Sequence, residues 1–193
     1  MLIAGLTGGM ACGKSFVAQA LRELGAYIIE ADELGHQVIG PDGEARAQVL
    51  AEFGETDRAK LAAIVFGKPD ELRKLNAIVH PAVRARARRT IEEIGVREPH
   101  AVVVYVAAIL IESGGLEGAS KTIVVTCARE QQIARALERP GATEASVMAR
   151  LEHQMPVAEK VARADYVIDT SGTKEDTLRQ TKMVFEVLRK MAA

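Results

Sequence analysis

Gly8-Gly9-Met10-Ala11-Cys12-Gly13-Lys14-Ser15 is the stretch whose residue types and spacing point most directly to a chemistry. Glycine, four residues, glycine, lysine and serine make a loop that surrounds a phosphate chain with backbone N–H groups. In such a loop Lys14 reaches the β- and γ-phosphates of a nucleoside triphosphate, and the Ser15 hydroxyl binds Mg²⁺. The flanks fit. Leu2-Ile3-Ala4-Gly5-Leu6 reads as a buried strand, and Phe16 to Leu24 carries apolar residues at helical spacing. The positive end of that helix dipole adds to the attraction for an anion. A bound nucleoside triphosphate is the first expectation.

Transfer of a phosphoryl group to an alcohol needs two more things: cations on the migrating charge and a carboxylate to take the hydroxyl proton. Arg135, Arg139 and Arg150 lie late in the chain around a break at Arg139-Pro140-Gly141. Arg135 and Arg139, four apart, are expected on one helix face, and Arg139 and Arg150 at the two ends of a small flap. A solvated surface is the alternative for all three. For the proton, the candidate is Asp32 in Ile28-Ile29-Glu30-Ala31-Asp32-Glu33, where alternation along a strand points Glu30 and Asp32 the same way. Asp32 also precedes a helical pattern, so a simple N-cap is the competing role. His36 lies one helical turn on. The third strand, Val102-Val103-Val104-Tyr105-Val106, ends without the carboxylate that motor-type ATPases place there; the first acid is Glu112. Mg²⁺ is then expected to rest on Ser15, phosphate oxygens and water, with Asp32 available to help.

The elements that must hold these residues alternate between apolar runs and helical patterns, as in a parallel sheet covered on both faces. Strands are expected at Leu2–Leu6, Ala26–Ile29, Ala101–Val106, Thr122–Thr126 and Tyr166–Ile168, with helices at Lys14–Leu24, Arg129–Glu138 and Lys174–Met191. Between Asp32 and Glu98 the pattern is helical only: Glu33–Ile39, Glu44–Glu52, Arg58–Val65, Glu71–Val79 and Ala82–Ile94. Turns are expected at Gly40-Pro41-Asp42-Gly43 and Gly67-Lys68-Pro69-Asp70. An all-helical insertion after the second strand is either a domain for the acceptor or a stabilising cap. A shorter helix, Thr143 to His153, forms the flap.

Bulk properties narrow the class. At 193 residues and 48% hydrophobic, with no Trp, the chain suits one α/β domain with an aliphatic core. A net charge of −1 gives no general field for nucleic acid or membrane. The longest apolar run, Ala101 to Ile111, has 11 residues, too few to cross a bilayer. The N-terminus reads as a strand rather than a signal peptide, and Cys12 and Cys127 as free thiols without zinc spacing, so a cytoplasmic enzyme is expected.

Nearly the whole chain resembles the dephospho-coenzyme A kinases. The matching stretches run from Leu6-Thr7-Gly8-Gly9 with Gly13-Lys14-Ser15, through Glu30-Ala31-Asp32 with His36, Val65-Phe66 and Val79-His80-Pro81, to Leu110-Ile111-Glu112-Ser113-Gly114. They continue with Gln132-Ile133-Ala134-Arg135 and Arg139, Arg150 and Gln154, and Ala164-Asp165-Tyr166-Val167-Ile168-Asp169. The resemblance implies transfer from ATP to the ribose 3′-hydroxyl of dephospho-coenzyme A. The alternative is another small kinase for a nucleoside monophosphate or a polyol. It also implies a three-layer P-loop kinase fold in three parts: a nucleotide core (residues 1–31, 99–138 and 156–193), a helical acceptor domain (32–98) and a lid (139–155). Carried over by position, Asp32 is the base, with Lys14 and Arg139 the other catalytic groups. ATP is held by Gly8, Ala11, Cys12, Gly13, Lys14, Ser15, Phe16 and Arg139, and Mg²⁺ by Ser15. The acceptor is held by Thr7, Asp32, His36, His80, Glu112 and Arg150. A monomer or weak homo-oligomer is expected. Ala11-Cys12 stands where Gly-Ser is common, and Thr170 where Asn is common. A thiol at position 12, among loop N–H groups and beside Lys14, is expected to be an accessible, reactive thiolate that MgATP protects, the alternative being an inert side chain tucked under the loop.

Overall fold

In the computed structural model, which describes residues 1–152 and 154–193, β1 (Leu2–Gly8), β2 (Tyr27–Glu30), β3 (Val102–Val106), β4 (Lys121–Thr126) and β5 (Tyr166–Asp169) form one sheet. Their order is β2-β3-β1-β4-β5, and all five strands are parallel. The register places Leu2 opposite Val102 and Leu6 opposite both Val106 and Ile123. The chain leaves β1 toward one edge and later returns to pair on its other side. That makes the C-terminal end of β1 the switch point, where a crevice opens in folds of this kind.

The expected strands are all present, each within about two residues of its observed ends, which is the usual uncertainty of element boundaries. The sequence fits them because Val, Ile and Leu alternate faces. Leu2, Ala4 and Leu6, with Val102, Val104, Ile123, Val125 and Ile168, bury one face. Val17, Ala18 and Leu21 of α1 (Lys14–Glu23) and Val184, Phe185 and Leu188 of α9 (Lys174–Ala192) cover it. On the other face Gly5 leaves room for Leu110, which a Cβ would strike.

By contacts the chain divides into two compact units, Met1–Ile29 with Arg97–Ala193, and Glu30–Val96. The first also contains α6 (Arg129–Leu137), α7 (Glu144–Glu152) and α8 (Val157–Val161), so the expected flap falls inside it. His153, expected to end the flap helix, lies outside the described residues. The second unit is made of α2 (Ala31–Ile39), α3 (Arg46–Phe53), α4 (Arg58–Val65) and α5 (Pro69–Arg97).

Two expectations about helices need correction. The two helices expected on either side of Pro81 are one, the 29 residues of α5. Proline removes the N–H that would bond the carbonyl of Ala77, but Ala77 and Pro81 are both exposed and water can serve that carbonyl. Val83, Ala87, Ile91 and Ile94 are buried along one stripe beyond it and hold the helix on course. Pro69 and Asp70, expected in a turn, instead begin α5, where proline at a first helical position costs no hydrogen bond.

Candidate active site

The phosphate loop leaves β1 at Gly8, where any side chain would collide with the backbone of Val125. It ends at Gly13, whose left-handed φ of 82° turns the chain into α1. No side-chain hydrogen bond caps α1, and an anion placed at its start would meet the N–H groups of its first turn. The contrast with α9 is informative: there Thr173 and Asp176 close a full capping box. Lys14 folds back, its Nζ donating to the carbonyls of Gly8 at 3.0 Å and Gly9 at 2.9 Å. Those are weak neutral acceptors, and a triphosphate would outcompete them for the ammonium. Ser15 is exposed at the start of the same helix and Phe16 is half-buried beside it.

Cys12 differs from expectation. Its side chain is fully buried, and the Cys127 thiol donates to its Sγ at 3.3 Å. Burial, followed by the hydrogen bond and the charge of Cys127, pushes its pKa up to about 12, against the opposing pull of Lys14. The thiol sits under the loop, and the field of N–H groups above it never meets it as a thiolate.

Thr170 lies under the loop as well. Its Oγ1 accepts from Arg135 Nη1 at 3.0 Å and lies 3.1 Å from the Cys12 carbonyl and 3.2 Å from that of Thr126. Arg135 Nη2 also donates to the Thr170 carbonyl at 2.8 Å. Arg135 therefore braces the loop from below. It does not share a helix face with Arg139, because α6 ends at Leu137 and Arg139 lies in the following turn. Arg139 and Arg150 are both exposed, Arg150 in the last turn of α7.

The loop after β3 is held by an ion pair from a buried lysine, which the sequence does not make legible. Lys160, in α8, has no exposed side-chain surface; its Nζ lies 2.8 Å from Glu112 Oε1 and 2.8 Å from the Ala108 carbonyl. Desolvation tends to raise the Glu112 pKa, but the bonds from Lys160 and from the Met155 N–H outweigh it and hold the carboxyl below its usual range. The Glu112 carboxylate is thus engaged by Lys160 and the Met155 N–H rather than extended toward an acceptor. Thr7, expected to contact the acceptor, is fully buried and donates to the same Ala108 carbonyl at 3.1 Å. A five-residue helix such as α8 has too little periodicity to be legible in a sequence, and Lys160 with it.

In the helical unit, β2 gives way to α2 without a gap. Glu30 is the N-cap and Asp32 an exposed residue of the first turn, so Asp32 neither caps the helix nor alternates along a strand with Glu30. His36 follows on α2 and lines a cavity of about 580 Å³. The cavity is walled by Ile39, Leu61, Val65 and Leu75, with Arg46, Asp57 and Arg58 also on its lining. That volume falls in the usual range for small-molecule sites, about 300–1,000 Å³. His80, half-buried on α5, does not line it; burial and the neighbouring Arg84 lower its pKa.

The family model described as "CoaE: Dephospho-CoA kinase" matches residues 2–176. The chain belongs to the dephospho-CoA kinase family. Its activity is accordingly that of a dephospho-CoA kinase, the final step of coenzyme A synthesis. The dephospho-CoA kinase of Geobacillus kaustophilus is 46% identical over 187 residues, covering 93% of this chain and 92% of that one. The crystal structure of TT1252 from Thermus thermophilus superposes with a TM-score of 0.78 at 33% identity, covering 96% of this chain and 97% of that one. A dephospho-CoA kinase from Campylobacter jejuni, at 24% identity and a TM-score of 0.64 over 97% of both chains, shares the fold. The family uses ATP, as the loop around Lys14 leads one to expect.

Proposed function

We propose that the acceptor atom is the ribose 3′-hydroxyl oxygen of dephospho-CoA, with Asp32 taking its proton. The hydroxyl oxygen attacks the γ-phosphorus of ATP as the bond to the β-phosphate bridging oxygen breaks, and ADP leaves. The uncapped start of α1, with Lys14 resting on replaceable carbonyls, is the observation that carries this reading. Lys14 neutralises the β- and γ-phosphates, and Arg139 and Arg150 supply exposed cations from the 139–155 lid. Among the described residues no three His, Cys, Asp or Glu side chains form a metal cluster. A single Ser15 hydroxyl suits a Mg²⁺ that arrives with the nucleotide and keeps phosphate oxygens and water as its other ligands. When bound, the ion withdraws charge from the transferring group.

The helical unit is the acceptor domain in this reading. Its cavity combines the aliphatic wall of Ile39, Leu61, Val65 and Leu75 with Arg46 and Arg58, which fits a long pantetheine arm ending in phosphates. His36 at the same cavity and His80 on α5 complete the proposed acceptor side.

A coupled ADP-release assay with MgATP tests the acceptor. Dephospho-CoA should be turned over, and the product should carry its new phosphate on the 3′ oxygen by phosphorus NMR. Faster turnover of AMP, shikimate or gluconate would transfer the case to another small-molecule kinase. Asp32→Asn, which keeps size but cannot accept a proton, should lower kcat by about 10²–10⁴ with little change in ATP affinity. Normal kcat in that variant would remove Asp32 from the chemistry.

A further inference from the structure

Met10 lies in the middle of the phosphate loop, and both of its backbone polar groups are taken by glutamine side chains. Gln132 of α6, buried, donates from Nε2 to the Met10 carbonyl at 2.9 Å. Gln154, just past α7, accepts the Met10 N–H on Oε1 at 3.0 Å. The Met10 side chain is itself buried with Ala136 of α6 and Val147 of α7, and Ala11 and Leu151 pack against them.

This matters because Ala11 has a φ of 59° and is the one described non-glycine residue in the left-handed region. With Gly13, also left-handed, it gives the alternation that curls successive N–H groups toward one side, the geometry of an anion nest. An alanine leaves that conformation readily unless something holds it. A peptide group is planar, so fixing the direction of the Met10 carbonyl also fixes the opposed N–H of Ala11. Gln132 thus sets the peptide on one side of Met10 and Gln154 the peptide on the other. A neutral amide suits this role, because it can donate or accept without adding a charge that would repel the triphosphate or compete for Lys14.

We infer that Gln132 and Gln154 are positioning residues that hold the Met10–Ala11 segment of the loop in its phosphate-binding shape before the nucleotide arrives. The inference rests on the loop being the ATP site. Gln154 ties that shape to the segment that follows the lid helix, so the loop and the end of the lid are fastened at one residue.

If the clamp pre-forms the loop, losing it reduces the fraction of protein competent to bind, and apparent affinity falls by that fraction. Gln154→Leu should therefore raise the KM for ATP about 5- to 10-fold, leaving kcat and the KM for dephospho-CoA within about twofold. Ala11→Gly removes the left-handed penalty, so in that background the same Gln154→Leu change should cost less than half as much in KM. Gln132→Leu should act in the same direction, with circular dichroism and melting confirming that each variant folds. An unchanged KM for ATP in Gln154→Leu, a loss confined to kcat, or effects that simply multiply with Ala11→Gly would overturn the inference. Isothermal titration with a nonhydrolysable ATP analogue separates the levels: no binding by the wild-type chain would overturn the ATP loop itself and the clamp with it. Binding that Gln154→Leu leaves unaltered would remove only the clamp.

Discussion

At the scale of residues, the side chain that departs furthest from expectation is Cys12. A thiol in a loop of N–H groups beside a lysine belongs, on electrostatics alone, among reactive cysteines. Its full burial against Cys127 reverses that, holding the pKa at about 12. Iodoacetamide at pH 7.5 should label Cys12 no faster than Cys127 over the first hour, and MgATP should change the Cys12 rate little; peptide mass spectrometry reads both. Fast labelling that MgATP suppresses would mean the thiol reaches the loop surface after all. The sequence could not reveal this because the direction of the thiol depends on backbone torsions at Ala11 and Gly13. It also depends on a neighbour 115 positions away. Thr7 is a similar case: its place before Gly8 was legible, but the Ala108 carbonyl that takes its hydroxyl was not. By contrast the course of the phosphate loop from strand to helix was legible, because local spacing alone specifies a local structure.

At the scale of elements, the ends of α8 and the loop after β3 depend on a charged pair where no element was expected. Lys160 is wholly buried, whereas Glu112 is an exposed residue with 23% of its side chain accessible. Removing one partner of such a pair leaves an uncompensated charge. Lys160→Met should therefore cost about 1–2 kcal/mol at neutral pH, less than for a fully buried pair because the Glu112 carboxylate left behind reaches water. The pH dependence has a definite sign. The folded pKa of Glu112 is lowered, so its share of stability is complete above the unfolded value of 4.5 and is lost as pH falls through the folded value. In Lys160→Met the lysine no longer holds the carboxyl down, and the damage should shrink between neutral pH and about pH 4.5, where Glu112 can protonate. Urea unfolding at several pH values measures this, and Lys160→Met with Glu112→Leu should recover most of the lost stability. Equal loss at every pH would mean the ion pair contributes only packing. Elements with strong periodicity, such as β1, α1 and α9, were legible in the sequence. The five residues of α8 were too short, and at Pro81 a local rule lost to the buried stripe further along α5.

At the scale of the whole molecule, the two compact units divide the proposed work. Every residue of the phosphate loop, with Lys14, Ser15, Arg135, Arg139 and Thr170, belongs to the first; Asp32, His36 and the apolar cavity belong to the second. In the proposed arrangement each ligand occupies a site within one unit, and transfer engages Asp32 of the second with the loop of the first. That separation can be tested by damaging each unit alone. Ala62 lines the cavity and is exposed, so Ala62→Trp can fill the space without disturbing the buried Leu61 beside it. In the proposed arrangement this change raises the Kd for dephospho-CoA at least about 10-fold, the size expected when a ligand group loses its pocket. Its Kd for ATP should stay within about twofold, since no described loop residue lies in the altered unit. Lys14→Met should do the reverse, abolishing measurable ATP binding while dephospho-CoA still binds. Separate calorimetric titrations of each ligand into each variant give all four values. If Ala62→Trp leaves dephospho-CoA binding intact, the cavity is not the seat of the pantetheine arm. If it weakens ATP equally, the two units do not bind their ligands independently.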